Sequence, residues 1–191
     1  MGRHLEFDRA QAVALAAEAF WRSGYEALPA LELAEAMGVA KSSLYNTFGS
    51  KKTLFMEALD QYALEQRAGV ARLARRKDLK AGLRQLLLDI ASDNSGGRGC
   101  LLVNSAAEFG RGDAEIQQRV KAGFEGMTQA VAALLRTGQA AGAIRPQLDA
   151  DEQALALVAG MAGLRVLAKG GFAAEQLRPV VESLLAGVVA S

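Results

Sequence analysis

The chain has 191 residues, with 22 basic and 21 acidic side chains, a formal net charge of +1, and a single cysteine, histidine and tryptophan. That length allows one or two small domains with a sizeable core, and the balanced charge excludes a whole-molecule attraction to nucleic acid or membrane. One cysteine excludes an internal disulfide framework and fits a reducing compartment.

Residues 1–20 mix charges with apolar residues, as an amphipathic helix does and a signal peptide does not. No uncharged apolar run is long enough to span a bilayer, so a cytoplasmic location and no membrane partner are expected. From Arg9, apolar side chains recur at Val13, Ala16 and Phe20, a helical stripe that stops at Gly24. Leu33, Ala34 and Met37 make a short second stripe ended by Gly38. Leu44 and Phe48, with Tyr45, make a third ended by Gly49. Ser50 is placed to cap a long fourth helix carrying Leu54, Phe55, Ala58, Leu59 and Tyr62.

Beyond Lys77, Leu79, Leu83, Leu86 or Leu87, and Ile90 step by three and four. SDNSGGRG (92–99) is a loop, and CLLVNSAAEF (100–109) is a short apolar helix closed by Gly110. Ile116, Val120, Phe124, Met127, Val131 and Leu134 predict a long helix from Asp113 to about Gly142. Asp149 caps another from Ala150 to Lys169. A last helix is expected from about Leu177 to Ala190, with Pro179 in its first turn. No alternating strand pattern or repeat emerges, so the fold class is all-α with about nine helices.

Two helices of about eight residues, joined across MGVA, have helix-turn-helix spacing over about 29–48, with the first helix as support. In a helix from Lys41 to Phe48, Leu44 and Phe48 share one face. Lys41, Ser42, Tyr45 and Asn46 fall largely on the others, with Ser43 and Thr47 at the flanks. Short hydroxyl and amide side chains suit base edges in a major groove, and Tyr45, Lys41 and Lys51 suit phosphates. The stretch from Gly38 to Phe55 holds three lysines and no acid. Spacing alone leaves open a solvated polar helix between two loops.

The segment ALPALELAEAMGVAKSSLYNTFGSKKTLFMEAL (27–59) resembles the DNA-binding head of the TetR family of transcriptional regulators. LAEAMGV, SLYNTF and SKKTLF carry the resemblance, and AEAFWRSGYEA (17–27) is similar to the end of that family's first helix. The resemblance implies a DNA-binding head over 5–65 and a ligand-binding and dimerisation domain over 66–191. It implies a ligand-responsive regulator, a repressor released from a palindromic operator by a small-molecule inducer, acting as a homodimer with no cofactor. DNA contacts then fall on Lys41, Ser42, Ser43, Tyr45, Asn46 and Thr47, with a phosphate at Lys51. The chain departs from the family where Leu28 and Pro29 precede the second helix and Ala40 the third, since threonine or serine is usual before the second and serine caps the third.

In the family the last two helices pair with a second subunit. Here Ala156, Gly160, Gly163, Leu164 and Leu167, with Val181, Leu184 and Val188, are the candidate dimer residues; closure of the monomer's own core is the competing reading. RGCLLVNSAAEFG (98–110) resembles a subgroup of TetR-type regulators, some of which sense electrophiles through a cysteine at this place. Cys100 at a helix start beside Arg98 fits a reactive thiol, although an unpaired cysteine is usually a small buried hydrophobe. Asn104 and Glu108 are candidate polar anchors of the same pocket, or else loop-bonding residues. Phe124 and Met127 are candidate lining residues, or else core. Trp21 reads as a contact between the first and fourth helices. With His4 the only histidine, no His-based acid–base or metal constellation is expected, and enzyme activity is not expected. The alternative function is a helical ligand-carrier or partner-binding module without specific DNA binding.

Overall fold

The computed structural model describes residues 8–92, 95–110 and 112–190. His4, the first residues of the expected head, and residues 93 and 94 of the expected loop lie outside the described residues.

Helix boundaries follow from local chemistry. Carboxylates or a hydroxyl cap five helix starts: Asp8 for α1 (Arg9–Ser23), Ser50 for α4 (Lys51–Leu73), Asp78 for α5 (Leu79–Ala91), Asp113 for α7 (Ala114–Ala140) and Asp149 for α8 (Ala150–Lys169). No side chain caps α2 (Ala30–Ala36), α3 (Lys41–Phe48) or α6 (Leu101–Phe109), where Pro29, Ala40 and Cys100 hold the cap position. These are also the shortest helices, so their stability comes from packing.

The last helix, α9, runs Ala174–Val188 and starts earlier than the sequence predicts. Gln176 explains the difference, because its side-chain oxygen accepts from the Ala173 amide at 2.9 Å and fixes the start there. Pro179 therefore sits in the second turn, not the first. Its missing N–H would have served the Glu175 carbonyl, and both residues are exposed, so the lost bond falls on the solvent side of the helix. Among the described residues the one β feature is an isolated bridge between Ile144 and Val189, which ties the α7–α8 turn to the end of α9.

Buried side chains form two clusters. One joins α1–α4 with α6 and the first turns of α7, through Leu101, Leu102, Ile116 and Val120. The other joins the end of α4 with α5, the rest of α7, α8 and α9. Phe124 packs against both. The expected division near residue 65 follows the chain; the cores divide differently, with α6 sharing apolar contacts with the head. An aromatic group marks that junction: Phe55 lies 4.8 Å from Phe20, 4.9 Å from Tyr25 and 5.5 Å from Phe109 between ring centroids. Helix α4 spans about 35 Å at ~1.5 Å per residue and contributes to both clusters.

Candidate nucleic-acid interface and effector cavity

Helix α3 divides its residues as a period of 3.6 requires. Leu44 and Phe48 are buried against α1, α2 and α4, whereas Lys41, Ser42, Tyr45 and Asn46 are exposed and Ser43 and Thr47 half-buried. Gly38, at φ +68°, makes the turn between α2 and α3 in a conformation that a side chain would strain. The exposed four thus lie together on one outward surface, and they make no side-chain hydrogen bond to described residues.

The lysines at the start of α4 behave differently. Lys51 Nζ donates to the Tyr25 carbonyl at 2.5 Å and sits 4.3 Å from the centre of the Tyr25 ring. Lys52 pairs with Asp113 at 2.8 Å and Glu115 at 2.5 Å. These bonds raise the Lys52 pKa, and the bond from Lys52 holds the Asp113 carboxyl below the ordinary carboxylate value. Of the three lysines in the basic stretch, Lys41 alone projects from α3 without an intramolecular partner among the described residues.

Where α4, α6, α7 and α8 meet, a small cavity of about 50 Å³ is lined by Cys100, Tyr62, Phe124, Met127, Met161 and Arg165, among others. Three expected pocket residues, Cys100, Phe124 and Met127, come together there. Asn104 and Glu108 do not. Asn104 donates to the Arg98 carbonyl at 2.8 Å and accepts from Lys169 at 3.1 Å. Glu108 turns to the head and accepts from the Tyr25 and Glu26 amides at 3.1 and 2.7 Å. Of the two readings open in the sequence, the loop-bonding one holds for both. Arg98 likewise points away from the thiol, pairing with Glu18 and lying 4.2 Å over the Trp21 ring.

Tyr62 was read from sequence only as part of an apolar stripe. It is 4 % exposed, and its hydroxyl has no hydrogen-bond partner among the described residues. Burial first, and then the neighbouring Cys100 thiol, push its pKa above the ordinary tyrosine value, although the thiol does not meet hydrogen-bond geometry. The phenol therefore stays protonated and able to donate. Its edge meets Trp21 at 5.3 Å, which makes Trp21 the expected α1–α4 contact. On the other side of Phe124, an open groove of about 450 Å³ runs between α6 and α7 toward the exposed Leu155.

The candidate dimer residues separate into two sets. Leu164, Val181 and Val188 are at most 1 % exposed and belong to the subunit's own core. A Cβ on Gly160 would come within 2.6 Å of Leu184, so Gly160 lets α8 and α9 approach inside one subunit. Ala156, Gly163 and Leu167 are exposed, as are Leu155, Val166 and Val180.

Two family models match the chain. Residues 12–58 match that of bacterial regulatory proteins of the tetR family, and residues 79–182 that of the tetracyclin repressor-like C-terminal domain. The chain belongs to the TetR family of transcriptional regulators. It is accordingly a ligand-responsive DNA-binding regulator and not an enzyme. The chain is 27% identical to the transcriptional repressor ComR of Escherichia coli, over 96% of this chain and 90% of that protein. It is 34% identical to the uncharacterized transcriptional regulator YezE of Bacillus subtilis, over 56% of this chain and 58% of that one. A cysteine-substituted form of the TetR-family regulator CifR, solved with 26 bp of double-strand operator DNA, superposes with a TM-score of 0.78. It shares 31% identity over 96% of this chain and 98% of that chain. No described helix is long and apolar enough to cross a membrane.

Proposed function

We propose that this TetR-family chain is a cytoplasmic, homodimeric repressor that grips a palindromic operator through α3 and leaves it when a small molecule opens the Cys100 cavity. The exposed α3 surface of Lys41, Ser42, Tyr45 and Asn46 carries the reading, because it offers base-reading and phosphate-binding groups with no side-chain hydrogen-bond partner among the described residues. Ser43 and Thr47 flank it, and Lys51 reaches phosphate only by sharing its ammonium with the Tyr25 carbonyl. The reading divides the chain into a head over 5–65 and a body over 66–191. The dimer face is the exposed, small-residue side of α8, with Ala156, Gly163 and Leu167, together with Val180 on α9. Small side chains there let partner helices approach closely, and the two-fold axis imposes the palindrome.

The cavity is too small for a whole effector, since ligand sites usually hold about 300–1,000 Å³. Rotation of Phe124 would join it to the α6–α7 groove and bring the volume into that range. The Tyr62 hydroxyl would then meet an acceptor on the ligand beside the Cys100 thiol.

Selection of bound duplexes from random DNA tests the first part. Two inverted half-sites centred about 34–36 Å apart, or a multiple, are expected. A protein that stays monomeric by light scattering at micromolar concentration, on DNA as well as off it, overturns the dimer. Labelling with a small alkylating electrophile tests the second part: release that persists after the reagent is removed, in wild type but not Cys100→Ser, assigns the signal to the thiol. Unchanged binding despite complete Cys100 modification assigns it to a reversible ligand.

A further inference from the structure

The cavity beside Cys100 is apolar over most of its wall, where Leu102, Phe124, Met127, Val158 and Met161 lie. Its polar side chains are the Tyr62 phenol, the Gln66 amide, the Cys100 thiol and the Arg165 guanidinium. Among the described residues no carboxylate lines it. Glu18 and Glu65 lie on the other side of Tyr62, in a separate hollow between α1 and α4. Both are bonded there, Glu18 to Arg98 and Glu65 to Gln61. Arg165 therefore brings to the cavity a positive charge that no acid among the described residues pairs with.

Two of these groups have donors to spare. The Tyr62 hydroxyl is buried without a partner among the described residues, and burial raises its pKa, so at neutral pH it keeps its proton. Arg165, on α8, donates one N–H to the Gly99 carbonyl at 3.2 Å and no other to a described residue. Its charge is close enough to act on the phenol, though less strongly than burial does. A carboxylate answers both groups. It is planar and anionic, its two oxygens match the guanidinium fork, and it has lone pairs left for the phenol. A neutral carbonyl leaves the charge unpaired, and an ammonium is repelled by it.

Size leads to the same group. About 10–15 Å³ of such space holds one water, so 50 Å³ has room for roughly three to five non-hydrogen atoms. That accommodates a carboxylate with one or two carbons. Any longer body must continue along Phe124, which lines both this cavity and the groove walled by Ala106, Phe109, Val120 and Leu155.

The geometry points to an apolar monocarboxylate as the ligand, its carboxylate held by Tyr62 and Arg165 and its carbon body lying along Phe124 in the α6–α7 groove. This rests on the reading of cavity and groove as one effector site, and the experiment separates the two.

Titration calorimetry compares octanoate with octanamide and octylamine, which have the same chain length and a neutral or a cationic head. Octanoate is expected to bind wild type about tenfold or more tightly than either. From butanoate through hexanoate to octanoate, affinity is expected to rise by up to about fourfold per methylene as the chain enters the groove. Arg165→Met keeps an apolar stem, removes the charge and is expected to abolish the preference for octanoate over octanamide. Arg165→Lys, which keeps the charge but not the fork, is expected to fall between. Tyr62→Phe is expected to weaken octanoate by about tenfold, with a denaturant midpoint that holds or rises because the deleted hydroxyl had no partner. Octanamide bound as tightly as octanoate overturns the proposal. So does a preference that survives Arg165→Met, or no binding by any of these compounds at millimolar concentration.

Release of the duplex recovered by selection is the second readout. Octanoate is expected to release it at concentrations where octanamide does not. Octanoate binding that depends on Arg165 but leaves the duplex bound keeps the ligand class and rejects the cavity as the effector site. Equal release by octanamide keeps the effector site and rejects the carboxylate.

Discussion

Helices α3 and α6 are almost the same length, eight and nine residues, and neither has a side-chain cap. Both are held in place by the first buried cluster. Their polar residues are used in opposite ways. Those of α3 face solvent, and the exposed four have no side-chain partner among the described residues. Those of α6 are bonded within the molecule: Asn104 to Arg98, Ser105 to the Leu101 carbonyl at 2.7 Å, and Glu108 to the head. A helix that keeps its polar atoms unbonded can present them to DNA. A helix that commits them can transmit movement.

The comparison rests on the core under both helices, so its largest test is there. Phe55 is 0 % exposed and touches Phe20, Tyr25 and Phe109. Phe55→Ala is expected to cost about 3–5 kcal/mol in denaturant unfolding, from lost burial and the cavity left behind. A cost below about 1 kcal/mol would show that the site collapses freely and that α6 does not depend on this cluster. A smaller effect separates the outward face of α3 from α6. Asn46→Ala is expected to lose about 1–3 kcal/mol on the best duplex only, with random DNA bound as before. Equal loss on both would remove Asn46 from base reading and leave it a backbone contact.

Capping is next in size. Ala40→Ser gives α3 the acceptor it lacks and is expected to raise stability by about 0.5–2 kcal/mol, read as a higher denaturant midpoint with the base preference unchanged. The smallest effect is acidic. Lys52 lowers the Asp113 pKa, and the amides of Glu152 and Asp151 lower that of Asp149. Both groups are depressed in the folded state, so their stabilisation is present above the unfolded value of about 3.9. It is lost as pH falls through the lower folded values. Melting temperature measured across that acid range should fall less steeply in Asp113→Asn than in wild type.

Much of the fold was legible because helix signals are local. Ser50 and Asp149 cap as read, and the stripe from Ile116 to Leu134 keeps one face through 3.6-residue periodicity. The outward face of α3 was legible for the same reason. What failed required distant partners. Nothing within α6 tells whether Glu108 turns to the cavity or to Tyr25, residues far apart in the chain. Leu164, Val181 and Val188 were expected at a dimer face because periodicity marks a face as apolar without saying which apolar surface covers it. Tyr62 looked like core and is core, but its unpartnered hydroxyl is visible only when its neighbours are. The start of α9 was misplaced because a glutamine three residues into the helix, and not the usual serine or aspartate before it, does the capping.

Phe124 lines both the α6–α7 groove and the smaller cavity beside Cys100. That placement bears on time and not only on space. On the proposed reading, an effector that fills the groove and the cavity together must displace the ring, so the rate of ring displacement would cap the rate of response. At high effector concentration the observed association rate should level off instead of rising in proportion. The repressor then responds to how long a signal lasts as well as to how strong it is.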